Sequence, residues 1–273
     1  MKPDEFDFLS QHVKDTSGLV LKQEKAYLLE SRLMPLVRQH GLNDLSDLVT
    51  ALRSKSIATL DNEITEAMTT NESFFFRDNK PFDLFRDNVL PEIIKNRASK
   101  KSFKIWCAAA SSGQEPYSLA MILLEKAAEL AGWRYEITGT DISKDILKKA
   151  ENGIYTQFEV QRGLPIQLLV KYFEKNGDGW QANEKLRSVV KYKYFNLLDN
   201  LKPLGQFDIV FCRNVLIYFD QETKGQVLDQ ISELMPDDGI LFLGGAETVL
   251  GISDKFKPVP GQRGVYALTR KVQ

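Results

Sequence analysis

From about Asn79 onward, apolar runs of strand length alternate with helix-length stretches, and that alternation limits the possible folds more than any other feature. Its clearest unit is KIWCAAASSGQEPYSLAMILL, Lys104 to Leu124. Five residues read as a buried strand, a small-residue turn follows, and an apolar helix starts at once. A helix over roughly Lys80–Asn96 precedes this unit. After it come helix EPYSLAMILLEKAAELAG, strand YEITGTD, helix SKDILKKAEN, strands YKYFNLL and FDIVFCRN, helix QETKGQVLDQISELM, strand GILFLGG and a last strand GVYALTR. Strands that are apolar throughout are buried on both faces, as in parallel sheets covered by helices. Right-handed crossovers then give an α/β fold with a doubly wound, mostly parallel sheet.

The first part of the chain has a different texture. Phe6, Leu9 and Val13 recur at helical spacing up to Gly18, and Leu29, Leu33 and Leu36 do so up to Gly41. Pro35 should kink that second helix. Further helices are expected over Asp44–Ser54 and Ile57–Thr69, and no strand. The expected division is a helical domain over residues 1–78 and an α/β domain over 79–273. Between Gly153 and Tyr192 the alternation breaks, and NGDG between two β-prone runs signals a hairpin. A small β subdomain is therefore expected to be inserted at about residues 153–192.

Composition excludes several classes of function. The 273 residues carry a formal charge of -1, which predicts no nucleic-acid partner. Cys107 and Cys212 supply neither a disulfide framework nor zinc spacing, and no metal site is expected. His12 and His40 lie far from the glycine-rich turns and read as structural. The N-terminus lacks a signal peptide's basic and apolar regions, and no run approaches a membrane span, so a cytoplasmic location is expected. A monomer is a separate expectation, and the sequence leaves the oligomeric state open.

Ligands of open α/β sheets bind beyond the carboxyl ends of the strands. The residues there are ASSGQE (Ala110–Glu115), then Thr140 and Asp141, then Asn196, then Arg213 and Asn214. One glycine, Gly113, replaces the three of a dinucleotide fingerprint. Glu115 at the helix start would repel a pyrophosphate and attract a cationic ligand such as S-adenosylmethionine. Asp141 could accept two ribose hydroxyls or cap the helix that follows. Asn196 could bond an adenine edge or simply make a turn. In NESFFFRDNKPFD, the polar residues around Phe74–Phe76 suggest a bound polar ligand, since buried polar groups need partners. Tyr218, just past a strand, is either a core aromatic or part of a reaction site. Lys22, Lys25, Arg32 and Arg38 form either a solvated helix surface or a docking face for an acidic partner.

Taken in order, NESFFFR, SSGQEPYS, GTDIS, FNLL and CRNVLIYF resemble the CheR-type chemotaxis receptor methyltransferases, from about residue 5 to residue 270. The resemblance implies a class I methyltransferase-like fold with a helical N-terminal domain and an inserted β subdomain. It implies transfer of a methyl group from S-adenosylmethionine to glutamates on chemoreceptor cytoplasmic helices, with S-adenosylhomocysteine as product and receptor arrays as the place of action. By position, Asn71, Ser73, Arg77, Glu115, Asp141, Asn196, Leu197, Asn214 and Val215 resemble cofactor contacts. Arg77 and Tyr218 resemble residues beside the transferred methyl, and Lys22, Lys25, Arg32 and Arg38 the receptor-docking helix. Family members usually carry threonine where Ser73 stands. A module that senses the cofactor or docks on receptors without turnover is the alternative.

Overall fold

Burial on both faces explains why the central strands read as unbroken apolar runs. In the computed structural model, which describes residues 1–269, Ile105 to Ala108 and Ile209 to Cys212 are all fully buried. The chain divides into two units, Met1–Thr70 with Tyr218–Lys224, and Asn71–Ile217 with Gly225–Gln273.

The first unit contains helices α1 (Pro3–Ser17), α2 (Ala26–Gln39), α3 (Leu45–Ser54) and α4 (Leu60–Met68). Pro at the first turn and acids Asp4 and Glu5 favour the start of α1, and Gly18 ends it in the left-handed region at φ 77°. Asp44 caps α3, its carboxylate accepting from the Asp47 amide at 3.0 Å. Phe6, Leu9, Leu29, Leu33, Leu48 and Ile64 meet in one core. Helix α2 continues through Pro35 to Gln39.

The second unit opens with α5 (Lys80–Leu84), one wide turn over Phe85–Val89, and α6 (Leu90–Asn96). Then follow β1 (Ser102–Ala108), α7 (Gln114–Glu125), β2 (Arg134–Asp141) and α8 (Lys144–Asn152). The insertion contains β3 (Ile154–Thr156), α9 (Gln157–Gln161), α10 (Ile166–Tyr172), β4 (Phe173–Asn176), β5 (Gly179–Ala182) and α11 (Glu184–Arg187). The chain returns through β6 (Val190–Tyr194), β7 (Ile209–Cys212), α12 (Gln221–Glu233, which begins in the first unit), β8 (Ile240–Leu243), β9 (Phe256–Pro258) and β10 (Val265–Leu268).

The main sheet has the order β6-β2-β1-β7-β8-β10-β9. β6, β2, β1, β7 and β8 run parallel, and β10 is antiparallel to β8 and to β9. The chain moves outward from β1 through β2 to β6 and then crosses to β7 on the other side of β1. The strand order therefore reverses between β1 and β7, where Cys107 pairs with Phe211. A crevice for a ligand belongs at that point. The small sheet is antiparallel, β3-β5-β4, and its hairpin turns at Gly177 (φ 56°) between the paired Asn176 and Gly179.

Several boundaries differ from expectation. The strand expected over Tyr192–Leu198 is β6, Val190–Tyr194, because pairing with β2 stops at Asp141–Tyr194. The helix expected to reach Gly132 ends at Glu125, and β9 was not anticipated. Arg270, the end of the expected last strand, lies outside the described residues. No described helix is long and apolar enough to cross a membrane. Among the described residues no cluster of three or more His, Cys, Asp or Glu could hold a metal ion.

Candidate functional site

Backbone strain marks the ends of the central strands. Non-glycine residues with positive φ include Ala109 (59°) and Ser111 (51°) after β1, Asn214 (59°) after β7, and Phe76 (51°), Asp78 (68°) and Asn79 (45°) in the NESFFFRDN segment. Each such residue costs on the order of 1–3 kcal/mol, and strain of this kind gathers where a structure must hold a ligand. Gly113 sits in the same turn at φ 91°, and a Cβ there would lie 2.6 Å from the Tyr192 hydroxyl oxygen. Only glycine fits both the dihedral and the space. Tyr155, on the inserted β3, donates to the Ser112 carbonyl at 2.7 Å and so ties the insertion to this turn.

Asp141 joins two of the turns. One of its oxygens accepts from the Ser111 amide at 2.8 Å, the other from the Ser143 amide at 3.1 Å. It is 6% exposed. The cap of α8 is Ser143, which accepts from the Ile146 amide at 3.2 Å, so capping does not account for Asp141. A carboxylate has about four lone-pair directions. The Ser111 hydroxyl reaches back to the Asn71 carbonyl at 2.9 Å, which fixes the start of the NESFFFR segment against the β1 turn. Asn196 makes a turn, accepting from the Leu198 amide at 3.0 Å, while Leu197 is buried.

Each phenylalanine of NESFFFR has its own partner. Phe75 is fully buried and packs edge-on against Tyr155 and Phe173, at 5.0 and 5.5 Å between centroids. Burying it contributes roughly 1.5–3 kcal/mol. Phe76 packs on Phe82 at 5.4 Å. The ring of Phe74 carries the Arg162 guanidinium at 4.3 Å and that of Arg77 at 5.5 Å. Arg77 also donates to the Glu72 carbonyl at 2.9 Å. Ser73 is half-buried in this segment.

The charge of Glu115 is not left open, as the sequence suggested. Arg213, with a side chain 1% exposed, donates to Glu115 at 2.7 Å, to Asp78 at 2.8 Å and to the Arg77 carbonyl at 3.0 Å. Burial pushes the Glu115 carboxyl above its ordinary value, and the guanidinium opposes that rise only in part. Arg213 therefore sets the electrostatics of this wall, and sequence reading had noted it only by its place after a strand.

Glu247 was missed altogether. It follows β8 and is 9% exposed. Its carboxylate accepts from the amides of Asn214 (2.8 Å), Val215 (3.0 Å), Ile217 (3.3 Å) and Gly244 (2.6 Å). The available signal was an acid in GGAE directly after an apolar strand.

The predicted site residues thus fall into three bonded groups: Asn71 with Asp141 through Ser111, Arg77 with Glu115 through Arg213, and Asn214 with Val215 through Glu247. Tyr218 ends a short helical turn, Leu216–Tyr218, and groups with the helical unit, where its carbonyl accepts from the Val20 amide at 2.9 Å. In that unit Lys22, Lys25 and Arg38 are exposed and have no acidic partner within ion-pair distance among the described residues. Arg32 is already engaged. It donates to the Met68 and Thr69 carbonyls at 2.6 and 3.0 Å and closes the end of α4, so its guanidinium does not extend freely beside Lys25.

Comparison with known proteins follows the same division. Residues 71–265 match the family model described as CheR methyltransferase, SAM binding domain, and residues 4–69 match CheR methyltransferase, all-alpha domain. The chain is 37% identical to chemotaxis protein methyltransferase Cher2 of Pseudomonas putida, over 96% of each chain. It is 40% identical to a chemotaxis protein methyltransferase of Vibrio parahaemolyticus, over 96% of this chain and 95% of that one. Among solved structures, the methyltransferase domain of bacterial CtHen1-C aligns with 57% of this chain and 63% of its own, at 14% identity and a TM-score of 0.30.

Proposed function

Since the chain belongs to the CheR methyltransferase family, we propose that it methylates glutamate side chains on the cytoplasmic helices of chemoreceptors. Its cofactor is S-adenosylmethionine. The observation that supports this reading most is buried Asp141 at the carboxyl end of β2, held by amides from two turns, next to the strand that borders the order reversal.

The residues present suit that cofactor. Asp78, Glu115, Asp141 and Glu247 outnumber Arg77 and Arg213 along this edge, which favours a ligand of net positive charge. Asp141, held at the carboxyl end of β2 by the Ser111 and Ser143 amides, would accept the ribose hydroxyls. Asn196 and Leu197 would flank the adenine, and Glu115 would face the amino group. Asn71, Ser73, Asn214 and Val215 would complete the wall. When bound, the cofactor supplies a methyl group on cationic sulfur, which passes to a carboxylate oxygen and leaves S-adenosylhomocysteine.

The rest falls to the protein. A substrate glutamate has an ordinary pKa near 4.3 and is ionised at neutral pH, so no side chain has to remove a proton. What remains is alignment and the exclusion of water. Anion and cation neutralise each other in the reaction, so a dry site helps, provided both are held. We assign Arg77 to positioning a carboxylate and Tyr218 to lining the methyl site. Lys22, Lys25 and Arg38 serve as the docking face for acidic receptor helices.

The test uses methyl-labelled S-adenosylmethionine with a panel of chemoreceptor cytoplasmic fragments. Base-labile label on receptor glutamates is the expected result. Cofactor binding with no base-labile label on any fragment would refute the assignment.

A further inference from the structure

We infer that Glu247 is a positioning residue, which holds the Arg213–Ile217 loop in the conformation that receives the cofactor. The inference rests on the functional reading above, because it takes Asn214 and Val215 as cofactor-facing.

Asn214, Val215 and Ile217 lie after β7, and Gly244 lies after β8, so the acceptor joins the ends of two neighbouring parallel strands. Asn214 adopts φ 59°, which turns the loop so that successive amides converge on one point. Converging amides of this kind form a concavity suited to an anion. Here the chain's own carboxylate fills it. A carboxylate only accepts, so it satisfies all four donors without introducing one of its own.

The space around it is equally specific. A Cβ on Gly244 would lie 2.7 Å from the Glu247 carboxylate oxygen and 2.8 Å from the Asn214 side-chain nitrogen. A glycine is thus needed for the carboxylate to reach the loop. Without the carboxylate, the buried Gly244 amide and three part-buried amides lose their acceptor, and the strained turn at Asn214 loses the contact that opposes its strain. The loop then populates other conformations, and apparent cofactor affinity falls by the fraction of competent loop.

Calorimetry of S-adenosylmethionine binding to the full chain tests this. Glu247→Ala should weaken binding about tenfold or more. It also vacates a space with the shape of acetate. Added acetate should restore much of the affinity, whereas chloride at equal ionic strength should not. A role in overall stability alone would not give that rescue. Gly244→Ala, which obstructs the carboxylate, should weaken binding in the same direction. Folded Glu247→Ala with normal affinity would overturn the inference, as would a loss that acetate leaves untouched alongside normal binding by Gly244→Ala. If Glu247→Ala does not fold, Gly244→Ala decides, with normal affinity counting against. Asp141→Ala serves as the control for the parent reading. If it binds normally, the placement of the cofactor against Asp141 fails, whatever the Glu247 result.

Discussion

Replacing Arg213 with methionine probes the charge balance around Glu115 and Asp78. The guanidinium is 1% exposed and bonds both Glu115 and Asp78. Methionine keeps most of the stem's volume and removes the charge. Asp78 is half-exposed, at 50%, so water takes over there and the loss is about 0–1 kcal/mol. Glu115 is only 13% exposed and would become a buried anion without its counter-charge. Removing one partner of such a pair costs about 3–5 kcal/mol, and the low end applies to a group with some solvent access. The tryptophans, Trp106, Trp133 and Trp180, all lie in the sheet-bearing unit, so their fluorescence during urea unfolding reports that unit. With a slope of about 2–3 kcal/mol per molar, the midpoint should fall by roughly 1–1.5 M. Adding Glu115→Gln to the variant should recover most of the loss. The deficit should also depend on pH. Burial already raises the Glu115 carboxyl above 4.5, and loss of the guanidinium raises it further. A carboxyl raised in the folded state stabilises below its unfolded value, and that gain is lost as pH rises through the folded value. The variant should therefore approach the parent in stability as pH falls from neutral towards 4.5. A midpoint shift under roughly 0.3 M, or no recovery with Glu115→Gln, would show that Glu115 is solvated and the reasoning wrong.

Asp141→Ala should weaken cofactor binding at least about tenfold, because it orphans the Ser111 and Ser143 amides as well as removing an acceptor; an unchanged calorimetric affinity removes Asp141 from the site. Gly113→Ala should cost about 1–3 kcal/mol in the same urea assay from its φ of 91° and its collision with Tyr192, and Tyr192→Phe should relieve only the collision. Burial raises Tyr117 to about 12 from 10, so the stability it contributes is complete below pH 10 and is lost as pH rises towards 12. Tyr117→Phe should flatten the alkaline unfolding curve in that window, and an unchanged curve would mean that the phenol titrates freely in the fold.

The fold was legible because β1 and β7 are buried on both faces, and an unbroken apolar run of strand length needs no partner to be read. The hairpin at Gly177 was equally plain, since local turn chemistry dictates it. Strand ends were less so. β6 stops where β2 stops, and no residue near Tyr194 records the length of a strand found 53 positions earlier in register at Asp141. The same limit hid the polar contacts of the site. Glu247 meets Asn214 across 33 residues, and Arg213 meets Glu115 across 98. Motif spacing brought Glu115 and Asp141 to one edge of the sheet, yet it contained nothing to say that Glu115 arrives with a cation attached. Helical spacing likewise put Arg32 on α2 without disclosing that α4 ends beside it.

The segment Tyr218–Lys224 has a consequence for protein engineering. Its Tyr218 carbonyl takes the Val20 amide, and its Asp220 holds Lys14 at 2.7 Å, which keeps the Asp220 carboxyl well below the usual range. The helical unit is thus assembled from two distant stretches of chain. A graft of the first seventy residues from one relative onto another would leave part of that unit behind in the recipient. Exchanging the helical unit between relatives calls for moving both stretches together.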